Sequence, residues 1–230
     1  IERSSTNDSW NSAQWTEISA PHRAIDDGFG YSASLSGDTV IVGAPNGGQT
    51  LHSCSTNNQY CFSEGAAYIF EKDENGDWVR KVSIEDLDFD PDPDSPTTSY
   101  NANLGASVSI SGNVAAAAAP GALGGSGFLL IYEKDLNGEW NFAQKVRPSD
   151  GISGDYFGTV SISGNLILIG STGHDTYSIN NSGAAYVFAK LGNTWVQVDK
   201  LIALDPSEND YFGNSVALFG STAIIGAQEK

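Results

Sequence analysis

Carboxylates are densest at Glu85-Asp86-Leu87-Asp88-Phe89-Asp90-Pro91-Asp92-Pro93-Asp94, and clustered carboxylate oxygens suit a hard cation such as calcium. Asp88, Asp90, Asp92 and Asp94 are therefore the metal candidates, and calcium is the one cofactor the chain suggests. Prolines and self-repulsion favour the other reading, an extended and solvated loop. Acids also precede several Phe-Gly pairs: Asp26 and Asp27, Asp150 and Asp155, Asp205 and Asp210. A repeated acid closes a turn more often than it does chemistry, because an active site needs only one copy. The three histidines, His22, His52 and His174, fall in different segments with no Ser or Cys nucleophile motif around them. The sequence thus assembles no triad, and a non-enzymatic chain is the expectation.

Cys54 and Cys61 lie seven positions apart in a polar segment, and a local disulfide stapling that loop is the natural reading. Two free thiols are the alternative. Zinc is disfavoured, since only His52 is near and there is no second Cys pair. Asn7-Asp8-Ser9 and Asn180-Asn181-Ser182 fit the N-glycosylation pattern, which makes Asn7 and Asn180 the glycosylation candidates.

Over the 230 residues, 28 Asp and Glu oppose 11 Lys and Arg, a formal net charge of -17. That charge repels phosphate backbones and anionic lipid surfaces, so no nucleic-acid partner is expected. No apolar run approaches the roughly 20 residues of a membrane-spanning helix, so no membrane insertion is expected either. The chain opens on Ile1 and holds no Met, which reads as a processed product or a piece of a longer polypeptide.

The elements that must position these groups are short strands. Asp155-Tyr156-Phe157-Gly158-Thr159-Val160-Ser161-Ile162-Ser163 and Leu166-Ile167-Leu168-Ile169-Gly170 flank the turn pair Gly164-Asn165, with β-branched and aliphatic residues on both sides. The same pattern recurs from Phe29 to Gly43 and from Phe212 to Gly226, with a drifted copy from Leu104 to Pro120. A third strand follows a glycine at Gly65-Ala66-Ala67-Tyr68, Gly127-Phe128-Leu129-Leu130 and Gly183-Ala184-Ala185-Tyr186. A fourth begins at Trp15, Trp78, Trp140 or Trp195. Asn75-Gly76 and Asn137-Gly138 link third to fourth strands and read as type I′ hairpin turns. The tryptophans recur with the repeat and so read as blade packing.

Units start near 29, 104, 157 and 212, giving periods of 75, 53 and 55. A period near 50 with four strands per unit marks a β-propeller, whose blades bury their faces only by stacking on one another. The fold class is therefore all-β: a β-propeller of four-stranded antiparallel blades, incomplete, with about three whole blades and partial blades at both ends. Residues 1–9 read as a frayed segment and 10–230 as the propeller.

Phe29-Gly30 followed by Gly43-Ala44-Pro45 resembles the FG-GAP repeat, the blade of integrin alpha-subunit propellers and of many secreted proteins. The resemblance implies an extracellular or cell-surface location. It also implies partners that are other protein subunits or further blades of the same polypeptide. Integrin-type blades carry calcium in an Asp-x-Asp-x-Asp-Gly loop between their first two strands. Here that connection is a tight turn, so the family's calcium site does not carry over. Three functions follow as expectations: a non-enzymatic adhesion or structural module, a glycan-binding propeller, or a propeller attached to an enzyme whose catalytic domain lies elsewhere. Because the last unit shows only its first two strands, further polypeptide or another subunit is expected to complete it.

Overall fold

Four two-residue turns, each opened by a glycine at left-handed φ (Gly37, Gly112, Gly164 and Gly220), fold the first two strands of each unit onto each other. The computed structural model describes residues 16–20, 26–47, 64–85 and 102–230. The first blade holds β1 (Ser32–Ser36), β2 (Thr39–Ala44), β3 (Ala66–Lys72) and β4 (Trp78–Ile84). The second holds β5 (Ser107–Ser111), β6 (Val114–Ala119), β7 (Phe128–Lys134) and β8 (Trp140–Val146). The third holds β9 (Phe157–Ser163), β10 (Leu166–Ser171), β11 (Ala184–Leu191) and β12 (Thr194–Leu201). The hairpin of β13 (Ser215–Phe219) and β14 (Thr222–Gly226) follows. Each four-stranded sheet is an antiparallel meander, the last sheet has two strands, and no sheet among the described residues closes on itself. Among the described residues one helical turn, Ala122–Gly125, interrupts the strands, and Leu123 and Gly124 inside it are left-handed.

The Asn-Gly links take a different form from the one the sequence suggests. Only Gly76 and Gly138 have positive φ, while the asparagines before them do not. Each link is a wider loop closed by an aspartate. Asp73 Oδ1 accepts from the N–H groups of Asn75 and Asp77, and Asp135 Oδ1 from those of Asn137 and Glu139. An Asx turn of this kind satisfies the loop's donors without asking asparagine for a left-handed backbone.

Blades are joined by their innermost strands. Ser34 and Ser36 of β1 accept from the N–H groups of Ile110 and Gly112 in the next blade. Ser107, Ser109 and Ser111 accept from Val160, Ile162 and Gly164, and Ser161 and Ser163 accept from Leu218 and Gly220. Alternation in a strand puts these serines on one face and the apolar residues between them on the other. The Ser-x-Ser pattern thus ties a free strand edge to the neighbouring blade, at about 1 kcal/mol per bond. Between the first two blades lies a core of Ile41, Ile69, Leu104, Val108, Ile110 and Phe128; between the second and third lies one of Leu129, Ile131, Phe157, Ile167, Tyr186 and Trp195.

The repeated Phe and Gly have separate reasons. Phe29 packs 5.8 Å from Tyr68 and 6.2 Å from Phe70, and Phe157 packs 5.7 Å from Tyr186 and 6.2 Å from Phe188. Gly43 and Gly170, the last residues but one of the second strands, face the carbonyl oxygens of Gly105 and Gly213 in the next blade, where a Cβ would clash. Where Ala118 stands at this place in the second blade, Gly158 is not left-handed and β9 runs on to Phe157, with a bulge at Gly170/Ser171.

The tryptophans also do more than fill space. Trp140 Nε1 donates to Glu71 Oε1 across the blade joint at 2.8 Å, and Lys134 Nζ meets the same oxygen at 2.7 Å. Trp195 Nε1 and Lys190 Nζ repeat this on Glu133, at 2.8 and 2.6 Å. Burial pushes the Glu71 carboxyl up, but the bonds from Lys134 and Trp140 outweigh it and hold the group below its ordinary 4.5. A depressed carboxyl stabilises the fold fully above its unfolded value and loses that contribution as pH falls through its folded value. Urea midpoints are therefore expected to hold steady from pH 7 down to about 5 and to fall below about pH 4.5, with Glu71→Gln flattening that fall.

Candidate functional site

Repeated acids close turns, as the sequence suggests. Asp155 Oδ2 accepts from Ile152 N–H, Asp210 Oδ2 from Ser207 N–H and Asp27 Oδ1 from Phe29 N–H. In the third blade the same acid gains a second role. The segment after β10 binds back through Gly173 N–H to the Asp155 carbonyl, and this brings His174 Nδ1 to 3.2 Å from Asp155 Oδ2. Asp155 and His174 are both buried. Lys200, projecting from β12, places Nζ 2.7 Å from His174 Nε2 and 2.6 Å from Asp150 Oδ2. Tyr186 of β11 donates its hydroxyl to Asp150 Oδ1 at 2.8 Å, and its ring lies 5.6 Å from the ammonium.

Donor and acceptor rules fix the protonation pattern. An ammonium group can only donate, so His174 Nε2 accepts, and Nδ1 carries the proton it gives to Asp155. Burial pushes the Asp150 carboxyl up, while the bonds from Lys200 and Tyr186 reverse this and hold it below its ordinary value. Burial, then the bond to Asp150, pushes the Tyr186 hydroxyl up, so it stays protonated as a donor. The chain Asp155, His174, Lys200, Asp150, Tyr186 is thus a relay in which each polar end meets another.

A cleft of about 470 Å³ opens over this relay, lined by Asp150, His174, Asp175, Thr176, Tyr177, Lys200 and Ile202. Tyr177 is 80% exposed on a left-handed backbone, so its ring faces solvent at the rim. Such an aromatic beside two carboxylates can stack on and hydrogen-bond a polyol. Ser171 Oγ donates to the Asp155 carbonyl, Ser182 Oγ accepts from Thr176 N–H, and neither meets the imidazole of His174. For a metal the Lys200 ammonium already lies between Asp150 and His174. Among the described residues no group of three or more His, Cys, Asp or Glu is placed to hold an ion.

The fourth unit carries a simpler form. Lys230 stands four residues after Gly226, as His174 stands four after Gly170, and Gly47 and Ala122 hold that place in the first two blades. Lys230 Nζ pairs with Asp205 Oδ1 at 2.6 Å and Asp210 Oδ2 at 3.3 Å. The hydrogen bond to Lys230 holds the Asp205 carboxyl down, and the same bond raises the Lys230 amine. The signal for this arrangement was in the sequence: two acids five positions apart, followed by a basic residue at one repeat position. It was unreadable without knowing that the segment after the second strand folds back on the acids.

Asn180 is exposed, with Nδ2 3.4 Å from Glu208 Oε1. The metal candidates Asp88, Asp90, Asp92 and Asp94, the pair Cys54 and Cys61, and Asn7, Trp15, His22 and His52 lie outside the described residues. No helix among the described residues is long and apolar enough to cross a membrane.

Comparison with known proteins agrees with this architecture. No curated protein matches the chain. A family model described as FG-GAP repeat matches residues 13–70, 140–188 and 195–230. Those spans take in the Phe29 and Phe212 segments, the third-blade strands and the Trp140 and Trp195 strands, whose packing is the blade joint itself. With that match over most of its length, and with blades built on the Phe-Gly and Gly positions, this chain belongs to the FG-GAP repeat family.

Proposed function

We propose that the chain is a non-enzymatic extracellular or cell-surface module that makes protein-protein contacts in adhesion or in an extracellular assembly. FG-GAP propellers commonly serve such contacts, and the observation that carries the reading here is how the polar side chains are spent. Serines, Glu71, Glu133, Trp140 and Trp195 fasten one blade to the next, and the His174 relay satisfies itself. With a net charge of -17, a partner with a basic surface is favoured.

One observation supports a second reading, glycan binding: the exposed Tyr177 ring beside Asp150 and Asp175. Screening the immobilised chain on an array of extracellular proteins and on a glycan array separates the two. The first reading expects saturable protein binding that weakens with salt and is indifferent to Tyr177→Ala. Glycan binding abolished by Tyr177→Ala, with no protein bound, would replace it with the second.

A further inference from the structure

We infer that the cleft over the third-blade relay binds a neutral saccharide, stacked on Tyr177 and bonded through its hydroxyls to Lys200, Asp150 and Thr176. This leaves the protein-contact reading standing as a separate function, and it rests on the glycan reading, whose ligand it narrows. Features repeated from blade to blade belong to the fold, whereas the cleft is built by a connection the second blade does not share. Residues 172–183, between β10 and β11, make a longer link than residues 120–127 between β6 and β7, and Ala122 holds the place of His174 there.

Two observations in that link point to a ligand. Thr176 and Ile179 form an antiparallel bridge around Tyr177 and Ser178, and both of these turn residues are left-handed, with φ of 53° and 66°. Such a turn favours Asn-Gly, so a tyrosine there is held against its backbone preference. What the strain achieves is display, because the ring is 80% exposed at the rim of the cleft. The second observation is a hydroxyl. Thr176 is only 5% exposed and lines the cleft, and its Oγ1 has no hydrogen-bond partner among the described residues. Buried hydroxyls in native proteins are nearly always bonded, so this one marks a place for a polar atom from outside the chain.

The pattern of charge selects the ligand. Lys200 gives two of its three ammonium protons to Asp150 and His174, and the Asp150 oxygens take one bond each, from Lys200 and from Tyr186. One proton and a lone pair on each oxygen therefore remain, where two partly exposed side chains line the cleft. A hydroxyl, donor and acceptor in one group, satisfies both. An anionic ligand would meet Asp150 and Asp175, and a cationic one would meet the Lys200 ammonium, so neither charge is favoured. Hydroxyls around a ring with an apolar face to lay on Tyr177 are the chemistry of a neutral pyranose. The volume of about 470 Å³ is that of a small-ligand pocket.

The test uses the full chain, produced without glycosylation so that no sugar on Asn180, three residues from Tyr177, reaches the ring. An array of neutral, amino-bearing and acidic oligosaccharides is the probe. Saturable binding to the neutral members is expected, holding from about 0.05 to about 0.5 M salt because no net charge is paired. Tyr177→Gly is expected to weaken it about tenfold with the melting temperature no lower, since glycine suits the left-handed turn. Thr176→Val is expected to weaken it about fivefold, again without loss of stability, because a methyl of the same shape replaces an unbonded buried hydroxyl. A side chain serving only the fold would lower the melting temperature instead. Protein binding is expected to be the same in both variants. Unchanged sugar binding in either variant, or a preference for charged sugars, would overturn the inference, and in the second case glycan binding itself stands. No sugar bound at all would sink the glycan reading with it.

Discussion

Gly170→Ala is expected to lower the melting temperature by about 6 to 12 °C, from a loss of about 3 kcal/mol at roughly 2 to 4 °C per kcal/mol for a chain of this size. The new methyl would meet the Gly213 carbonyl oxygen and the Thr159 hydroxyl, and a main-chain carbonyl of the next blade cannot swing aside as a side chain can. Gly43→Ala meets the same obstacle at Gly105 and is expected to act alike on the first joint. Gly37→Ala is the control. Its left-handed φ strains any substituent by about 1 kcal/mol, but a Cβ there meets open space. Scanning calorimetry of the three variants checks the order, and equal losses would show that backbone conformation, not blade contact, selects these glycines.

Glu133→Ala is the second change with a large expected effect, about 2 to 3 kcal/mol. It removes the acceptor of Trp195 Nε1 and the partner of Lys190 together. Trp195 is only 2% exposed, so its indole N–H would be left buried without a bond. Glu133→Gln keeps one acceptor and is expected to lose about half as much. In urea unfolding followed by tryptophan fluorescence, Trp195→Phe in the Glu133→Ala background should cost less than it does in the native chain, since the bond is already gone. Additive losses would mean that the two side chains do not act together.

What the sequence made legible was periodicity. Strand order, turn positions and the four units follow from alternating residues and from glycines placed where two-residue turns need them, which is local information. The blade joints were hidden because they join residues some 50 to 76 positions apart, such as Ser36 with Gly112 or Gln144 with Trp195. Ser-x-Ser by itself is only a polar strand face, and its role depends on the edge of a strand in the neighbouring blade. Glu71 and Glu133 are single acids in mostly apolar strands, and their partners lie in the next blade. The Asn-Gly loops misled, because Asp73 and Asp135 supply side-chain acceptors that outcompete the tight turn the pair favours. His174 was legible as a lone histidine only; its meeting with Lys200 depends on β12 lying beside β11.

Blades fastened through their innermost strands are the centre of this account, and amide exchange in Ser109→Ala tests it most directly. Ile162 N–H lies on the free edge of β9 and donates to Ser109 Oγ of the preceding blade at 3.0 Å. Losing that acceptor, worth about 1 kcal/mol, should speed exchange at Ile162 about fivefold while Leu168 and Tyr186, inside the same sheet, keep their rates. Unchanged exchange at Ile162 would mean that the serine ladder does not hold the blades together.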